Sequence, residues 1–351
     1  MGKTRQGGPV RDIAVDLGTS MTKAAAKGRG ILLREPSVVA ADRHTGKILA
    51  AGTEARQLPE RTPGDVLILH PLGEGMIRDQ RLTEAMLRLF LQKALPGRVL
   101  KPGLLLGVPA GITQAAEQGL VDAGLRAGAR RVWLMEAPLA AALGAGLDPA
   151  EPRGRMVVDV GGGTADIAVL AMGDIVVSAC LTAAGDAFDR ALIRYVRSEH
   201  GVLIGRRTAE ELKRRAGRLS AAEGDGTAEP PSVRGRCLTT GLPRVVSMTP
   251  AETATALDPV GEELVRGVLE TLERTPAGLA ADIASEGILL TGGGSLLRGL
   301  DRLLTERTGF PVTRAEDPEA AVVLGLEKAL ATLSRRQPGV LDLARRRTVE
   351  P

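Results

Sequence analysis

The chain reads as an α/β protein assembled from two related halves, and three observations lead there. First, two segments look like copies of one another: Asp16-Leu17-Gly18-Thr19-Ser20-Met21-Thr22-Lys23 and Asp159-Val160-Gly161-Gly162-Gly163-Thr164-Ala165-Asp166. Each follows a short apolar run (Ile13-Ala14-Val15; Met156-Val157-Val158) and leads into another (Ala24-Ala25-Ala26; Ile167-Ala168-Val169-Leu170), so each reads as strand, Gly/Thr turn, strand. Second, strand-length apolar runs alternate with stretches of helical spacing, which implies α/β layers rather than a sandwich or a bundle. Third, 351 residues exceed what one core usually holds, and the expectation is two domains of roughly 150 residues each.

Taken in order, residues 12–27 form the first hairpin, and Gly28-Arg29-Gly30 turns into a strand at Ile31-Leu32-Leu33. Residues 36–75, with Pro36, Pro59, Pro63 and Pro71, are loop-rich and read as a small inserted subdomain. Residues 82–94 carry Leu82, Met86, Leu87, Leu89, Phe90 and Leu91 at helical spacing. Leu104 to Val108 is a buried strand stopped by Pro109, residues 112–127 a helix, and Arg131 to Met135 another strand. Pro138 opens an Ala/Leu-rich helix, where proline in the first turn is tolerated. Residues 147–155, with Pro149, Pro152, Gly154 and several charges, mark the boundary between the halves. The second hairpin at 156–170 is followed by a strand at 174–181 and helices at 185–199 and 208–219. Residues 220–236 are poor in apolar side chains and read as a surface loop. A helix over 250–275 precedes the strand Ile288-Leu289-Leu290, which opens onto Thr291-Gly292-Gly293-Gly294 and a helix from Leu296 to Arg307.

Composition narrows the function. The aromatics are Trp133, Tyr195, Phe90, Phe188 and Phe310, too few for stacking on single-stranded nucleic acid. The net charge of +4 is mild, and arginine clusters at 206–207, 214–215 and 335–336 read as solvated helix faces, with 345–347 in a basic tail. Cys180 and Cys237 have neither ligand nor redox spacing, which fits free thiols in a reducing cytoplasm. His44, His70 and His200 are scattered, so no histidine metal site or triad is indicated. No stretch reaches the ~20 apolar residues of a membrane span, and the first nine residues lack the apolar region of a secretory signal. A cytoplasmic protein is expected.

One glycine turn is weak evidence for a ligand; three, two of them preceded by Asp, are stronger. At the first, Gly18 lets the backbone approach a phosphate, with the amides and hydroxyls of Thr19, Ser20 and Thr22 as donors. At the second, Gly161, Gly162 and Gly163 do the same beside the Thr164 hydroxyl. The third, Gly292-Gly293-Gly294, is expected to precede a helix whose free amides and dipole favour an anion. No Gly-Lys-Ser/Thr follows any of them, and the first two lead to strands, which excludes a Walker A loop and a Rossmann fingerprint. Asp16 and Asp159 hold equivalent positions: paired, they could hold Mg2+ through its waters, or each could bond local backbone amides. Lys23 either reaches back over the turn toward phosphate or is a solvated strand lysine. Glu210 and Lys213, at i and i+3 of a helix, read from spacing as an ordinary surface ion pair.

The chain resembles the MreB/Mbl group of bacterial actins, within the actin, DnaK-chaperone and sugar-kinase superfamily. The stretches that carry the resemblance are Asp16-Leu17-Gly18-Thr19, Glu35-Pro36-Ser37-Val38-Val39, Arg61-Thr62-Pro63-Gly64 and Glu136-Ala137-Pro138-Leu139-Ala140-Ala141-Ala142. They continue with Val158 to Thr164, Gly185-Asp186-Ala187-Phe188-Asp189 and Leu290-Thr291-Gly292-Gly293-Gly294, and together run from about Asp12 to about Leu333. The resemblance implies an actin-like duplicated ATPase fold, two lobes of four subdomains around a central cleft that binds ATP with Mg2+. It implies lobe I over 1–146, with an inserted subdomain at 32–76 and a C-terminal helix at 318–333 returning to it. It implies lobe II over 147–317, with an insert at 182–246, and leaves a basic flexible tail at 334–351. By matching position, Thr19, Ser20 and Met21 lie at the first phosphate turn and Gly162 to Thr164 at the second. Glu210 to Lys213 touch the nucleoside, and Gly292, Gly293, Gly294 and Ser295 lie near the adenine and α-phosphate. Head-to-tail filaments of the chain itself, and a role in cell shape or wall synthesis with membrane-associated partners, are also implied; a non-polymerising ATP-dependent switch is the alternative.

Three departures from the family pattern matter. The Glu expected before the Pro of the Glu-Pro segment, which polarises the attacking water, is Ala137 here; a methyl group can neither accept a proton nor orient water. Thr164, the other water-positioning residue, is kept. ATP binding with weak or absent hydrolysis is therefore expected. The first turn reads Met21-Thr22-Lys23, closer to eukaryotic actin, which favours a phosphate contact for Lys23. The N-terminal amphipathic helix by which many MreB proteins dock on membrane is missing, which argues against direct membrane binding.

Overall fold

Two five-stranded sheets carry the described chain, and each is built on one of the glycine-turn hairpins. The computed structural model describes residues 12–61, 64–97, 101–219 and 231–333; the tail expected at 334–351 lies outside them. One unit holds the chain up to Arg153 with Leu170–Val176 and the part from Glu319 onward, and a second holds Gly154–Val169 and Val177–Pro318.

The first unit begins with β1 (Asp12–Leu17), β2 (Met21–Ala26) and β3 (Gly30–Pro36), then β4 (Val39–Asp42), β5 (Ile48–Ala51), α1 (Thr53–Arg61) and β6 (Val66–Leu69). Two short strands, β7 (Leu72–Gly73) and β8 (Met76–Ile77), precede α2 (Gln80–Ala94), β9 (Gly103–Val108), α3 (Gln114–Arg126), β10 (Arg131–Glu136) and α4 (Ala137–Gly144). The sheet order is β10-β9-β1-β2-β3, with β1, β9 and β10 parallel and β1 to β3 antiparallel. Ile13 and Val15 of β1 join Leu104, Leu106, Val132 and Leu134 in a core closed by Met86, Leu87 and Phe90 of α2 and by Leu120 and Val121 of α3. Alternation along a strand sends Ala14 to the other face, where Ala25, its register partner, packs on Ala320 and Val323.

The second unit runs β11 (Arg155–Val160), β12 (Ala165–Ala171), β13 (Asp174–Leu181), α5 (Gly185–His200), β14 (Val202–Leu203), α6 (Arg206–Ala216), β15 (Ser232–Cys237) and β16 (Pro243–Ser247). It continues with α7 (Pro250–Glu273), α8 (Ala277–Glu286), β17 (Ile288–Thr291), α9 (Leu300–Thr308) and β18 (Val312–Arg314). Its sheet order, β13-β12-β11-β17-β18, repeats that of the first sheet: a glycine-turn hairpin and a third strand on one side of the starting strand, two parallel strands on the other. β12 is buried at all seven positions, as expected of a strand covered on both faces. The last helix, α10 (Ala321–Leu333), packs in the first unit against α4. Their backbones touch at Gly144, which lies on the Ala321 carbonyl, and at Gly325, on the Ala140 carbonyl; a side chain at either glycine would separate them.

Several expectations are corrected. Residues 39–69 are not mainly loop: β5-β4-β6 form a three-stranded sheet covered by α1, whose core is Val38, Ala40, Ala50 and Ala55. Of the loop expected over 220–236, residues 232–236 belong to β15; its outward arginines conceal the strand alternation of the buried Val233 and Cys237. The units part at Arg153/Gly154, and residues 170–176, unlike the rest of the second hairpin and its strand, group with the first unit. The reason is that the Met172 and Gly173 amides donate to the Glu151 and Pro149 carbonyls, at 2.8 and 2.7 Å. Among the described residues no helix is long and apolar enough to cross a membrane.

Candidate functional site: two phosphate-turn hairpins

The first turn is tight because residue 18 has no side chain: a Cβ there would sit 2.7 Å from the Met21 carbonyl oxygen. Ser37 holds the turn from outside. Its Oγ donates to the Gly18 carbonyl at 2.6 Å and shares a 2.8 Å bond with Thr22 Oγ1, and its amide donates to the Ser20 carbonyl at 3.0 Å. In a trans peptide the carbonyl of one residue and the amide of the next point opposite ways. With the Gly18 and Ser20 carbonyls directed at Ser37, the amides of Thr19 and Met21 face away from it, as an anion nest requires. The Thr19 hydroxyl accepts from the Gly75 amide at 3.2 Å. Thr22 is fully buried against Ser37, which corrects the expectation that its hydroxyl donates to phosphate.

Asp16 and Lys23 face each other across the β1–β2 ladder, and Lys23 Nζ donates to Asp16 Oδ2 at 3.1 Å. Lys23 is largely buried and neutralises the carboxylate beside it.

The second turn has the same plan with a different brace. The Gly161 amide donates to the Thr164 carbonyl at 2.8 Å, closing the hairpin. The first amides of α5 then bond to the turn: Gly185 donates to the Gly161 carbonyl at 3.1 Å and Asp186 to that of Gly162 at 2.7 Å. By the same peptide geometry, the amides of Gly162 and Gly163 face away from α5. Thr164 is half-buried and its Oγ1 lies 3.5 Å from Oδ2 of Asp166, a carboxylate only 4% exposed. Asp166 also neighbours Cys180, an exposed residue whose thiol is pushed up to about 12 by desolvation first and then by the Asp166 charge.

Asp159 is the fifth of six residues in β11, as Asp16 is in β1. It is 8% exposed, and the third glycine turn packs on it. Gly292 has φ +81°, and a Cβ there would lie 2.5 Å from Asp159 Oδ1 and against the Val160 carbonyl; one on Gly294 would lie 2.9 Å from that carbonyl. These glycines allow backbone to meet backbone over β11. The turn continues as one 3-10 turn, Gly293–Leu296, with Ser295 Oγ donating to the Gly292 carbonyl at 2.6 Å. The helix expected from Leu296 begins only at Leu300, behind Gly299 in the left-handed region, so the turn does not lead straight into a helix N-terminus.

Glu210 and Lys213 do not pair with each other. Glu210 Oε1 accepts from Arg214 at 3.1 Å, while Lys213 Nζ lies 2.9 Å from Asp189 Oδ1 and donates to the Gly185 carbonyl at 2.8 Å. Burial raises the Asp189 pKa even though the Lys213 charge works against it. Lys213 therefore ties α6 to the end of α5 that braces the second turn. Glu136 closes β10 opposite Val108, and Ala137, half-buried, is the first residue of α4, so the two straddle a strand–helix joint.

Among the described residues no group of three or more His, Cys, Asp or Glu could hold a metal. A carboxylate at the end of each starting strand suits an ion taken through its waters, as Mg2+ prefers.

The profile of the MreB/Mbl protein family matches residues 10–338. The chain belongs to the MreB/Mbl family. It is 44% identical over 316 residues to the cell shape-determining protein Mbl of Bacillus subtilis (strain 168), covering 90% of this chain and 94% of that one. It is 43% identical over 325 residues to the cell shape-determining protein MreB of Escherichia coli (strain K12), covering 91% and 93%. Among solved structures, MreB 5 of Spiroplasma citri bound to AMPPNP superposes with a TM-score of 0.87 at 32% identity, over 94% of this chain and 98% of that one. The MamK double helical filament, 21% identical, superposes with a TM-score of 0.77 and supports the fold alone. The fold is the actin-like one of the MreB/Mbl proteins, and the repeated sheet order is its internal duplication.

Proposed function

We propose that this protein is an MreB-type cytoskeletal protein that binds ATP with Mg2+, assembles into filaments and serves cell shape or wall synthesis. The observation that carries the reading is the repeated plan of the two hairpins: an Asp at the fifth position of the starting strand, then a turn whose carbonyls are tied back so that two amides face outward. Such amides cradle phosphate oxygens. The first turn contributes Gly18, Thr19, Ser20 and Met21; the second contributes Gly161, Gly162, Gly163 and Thr164. Asp16 and Asp159 would hold the magnesium through water, and Lys23 would share its charge between Asp16 and phosphate. Glu210 and Lys213 border the nucleoside, with Gly292, Gly293, Gly294 and Ser295 near the base and α-phosphate. The bound magnesium would neutralise triphosphate charge. The relatives named for determining cell shape, and the Spiroplasma relative solved with AMPPNP and with ADP, support the same reading.

Hydrolysis is slow because residue 137 carries no carboxylate, while Thr164 alone positions water. A positioned acid or base contributes typically 10²–10⁴-fold. Half-buried Ala137 lies in the first turn of α4, where the helix dipole favours an acid. ATP turnover and assembly, followed together for the wild type and Ala137→Glu, test this. The expected result is bound ATP and filaments in both, with turnover raised at least tenfold by the substitution; equal and brisk turnover in both refutes the role given to residue 137.

A further inference from the structure

Strand β12 is buried at all seven positions, and Asp166 is its one polar side chain. Ala165, Ile167 and Val169 enter the core of the second unit. Alternation along the strand therefore sets Asp166 on the opposite face, which it shares with Thr164 two residues earlier. There it is 4% exposed. A carboxylate so deep costs more desolvation than an apolar side chain of similar size, so packing alone does not account for it.

Two donors converge on that carboxylate. Thr164 Oγ1 donates to Asp166 Oδ2 at 3.5 Å, and the Cys180 thiol, on the neighbouring strand β13, bonds to it as well. The Thr164 bond is long, as catalytic hydrogen bonds often are before substrate tightens them. A threonine hydroxyl has one proton and two lone pairs, and an ionised carboxylate can only accept. With its proton committed to Asp166, Thr164 Oγ1 meets any further partner as an acceptor. A water in front of the second turn then donates to Thr164, and a lone pair on the water oxygen stays open for attack. Were the proton free, Thr164 would donate to that lone pair or to a phosphate oxygen, which binds the ground state without helping the chemistry.

We propose that Asp166 is a positioning residue for ATP hydrolysis: it fixes the Thr164 hydroxyl as an acceptor, so that the attacking water is held with its lone pair toward the γ-phosphorus. The inference rests on the ATP reading above and adds to it a residue that has no role there. In the step it serves, the water oxygen bonds to the γ-phosphorus as the bond from that phosphorus to the oxygen left on ADP breaks. Inorganic phosphate keeps one of the water's protons, and the other leaves to solvent.

The test sets single-turnover cleavage of bound ATP beside ATP affinity, on the full chain with Mg2+. Both are measured in the wild type and in Ala137→Glu, where faster turnover widens the range. Asp166→Asn keeps the shape, weakens the acceptor and lets an NH2 group face Thr164. Cleavage should fall on the order of tenfold or more, as misplacing a reacting group does, with ATP affinity unchanged or tighter. In a Thr164→Val background the same substitution should cost nothing further, because the two residues act as one unit. Asp166→Leu removes the acceptor altogether and should lose at least as much rate, which gives a second variant should the first not fold. A carboxylate that only holds the strand would weaken affinity and add its loss to that of Thr164→Val. That pattern, or Asp166→Asn cleaving at the wild-type rate, overturns the proposal and leaves the ATP reading intact. ATP that binds yet is never cleaved, even in Ala137→Glu, overturns it likewise. No ATP binding at any concentration overturns both.

Discussion

Replacing Gly292 by Ala should damage the second unit far more than the residue's size suggests. Two costs coincide there. The backbone sits at φ +81°, where an L side chain costs roughly 1–2 kcal/mol. The new Cβ would also meet the Val160 carbonyl and Asp159 Oδ1, two oxygens of a strand buried on both sides; overpacking of this kind costs typically 1–3 kcal/mol. The sum is roughly 2–5 kcal/mol. Two other glycines separate the contributions. Gly309 has φ +75° with nothing within 4 Å of an added Cβ, so Gly309→Ala carries the backbone cost alone. Gly294 has no positive φ but would place a Cβ 2.9 Å from the Val160 carbonyl, so Gly294→Ala carries the steric cost alone. Urea unfolding followed by far-ultraviolet circular dichroism should rank the midpoints with Gly292→Ala lowest, ~1 M below wild type for a slope of about 3 kcal/mol per M. Gly292→Ala no less stable than Gly309→Ala would refute the reasoning that these glycines exist to let backbone rest on β11.

Three further outcomes follow from the site and its surroundings. Lys23→Ala should weaken ATP binding in a fluorescent-nucleotide titration and make it depend more steeply on Mg2+, because Asp16 loses the cation that neutralises it; unchanged affinity would return Lys23 to a purely structural role. Glu252 accepts from the Thr249 amide at 2.8 Å, capping α7, and lies 2.9 Å from His200, and its pKa is lowered from the ordinary 4.5 by the Thr249 amide first and by His200. Its stabilisation is therefore fully present above about pH 4.5 and is lost as pH falls through the lower folded value. Glu252→Gln should flatten the acid limb of a melting-temperature profile, while an unchanged limb would rule the group out. The Cys237 thiol is drawn down to about 7 by the Thr240 hydroxyl and then by the Thr240 and Thr239 amides, whereas Cys180 stands at about 12. Cys180, though exposed, should therefore resist alkylation at pH 8, where its thiol stays protonated; brisk labelling of Cys180 at that pH would contradict the assignment.

The fold class was legible in the sequence because duplication leaves a local mark: Asp and Gly recur at fixed positions in two short hairpins, and the flanking strands are small and apolar. What the sequence did not show is mostly non-local. Ser37 braces a turn that ends sixteen residues earlier in the chain, at Met21, and nothing in its neighbourhood announces that. Lys213 finds Asp189 on another helix rather than Glu210 three residues away. Gly292 and Gly294 carry the composition of an anion site, and only packing reveals that they also let the turn rest on Asp159 and Val160 of β11. Asp166 was in plain view beside Thr164, but a carboxylate two residues along a strand has no signature until its burial is known. The β15–β16 hairpin hid behind outward arginines and a polar flank, which mimic loop composition.

The central claim is that the two glycine hairpins bind one magnesium-complexed ATP. Isothermal titration of the full chain with ATP, with and without Mg2+, tests it most directly. The account predicts a single saturable site per chain that weakens at least tenfold when Mg2+ is chelated and is lost with Gly162→Asp at the second turn. Absence of binding heat at any ATP concentration, or binding indifferent to both Mg2+ and Gly162→Asp, would contradict it.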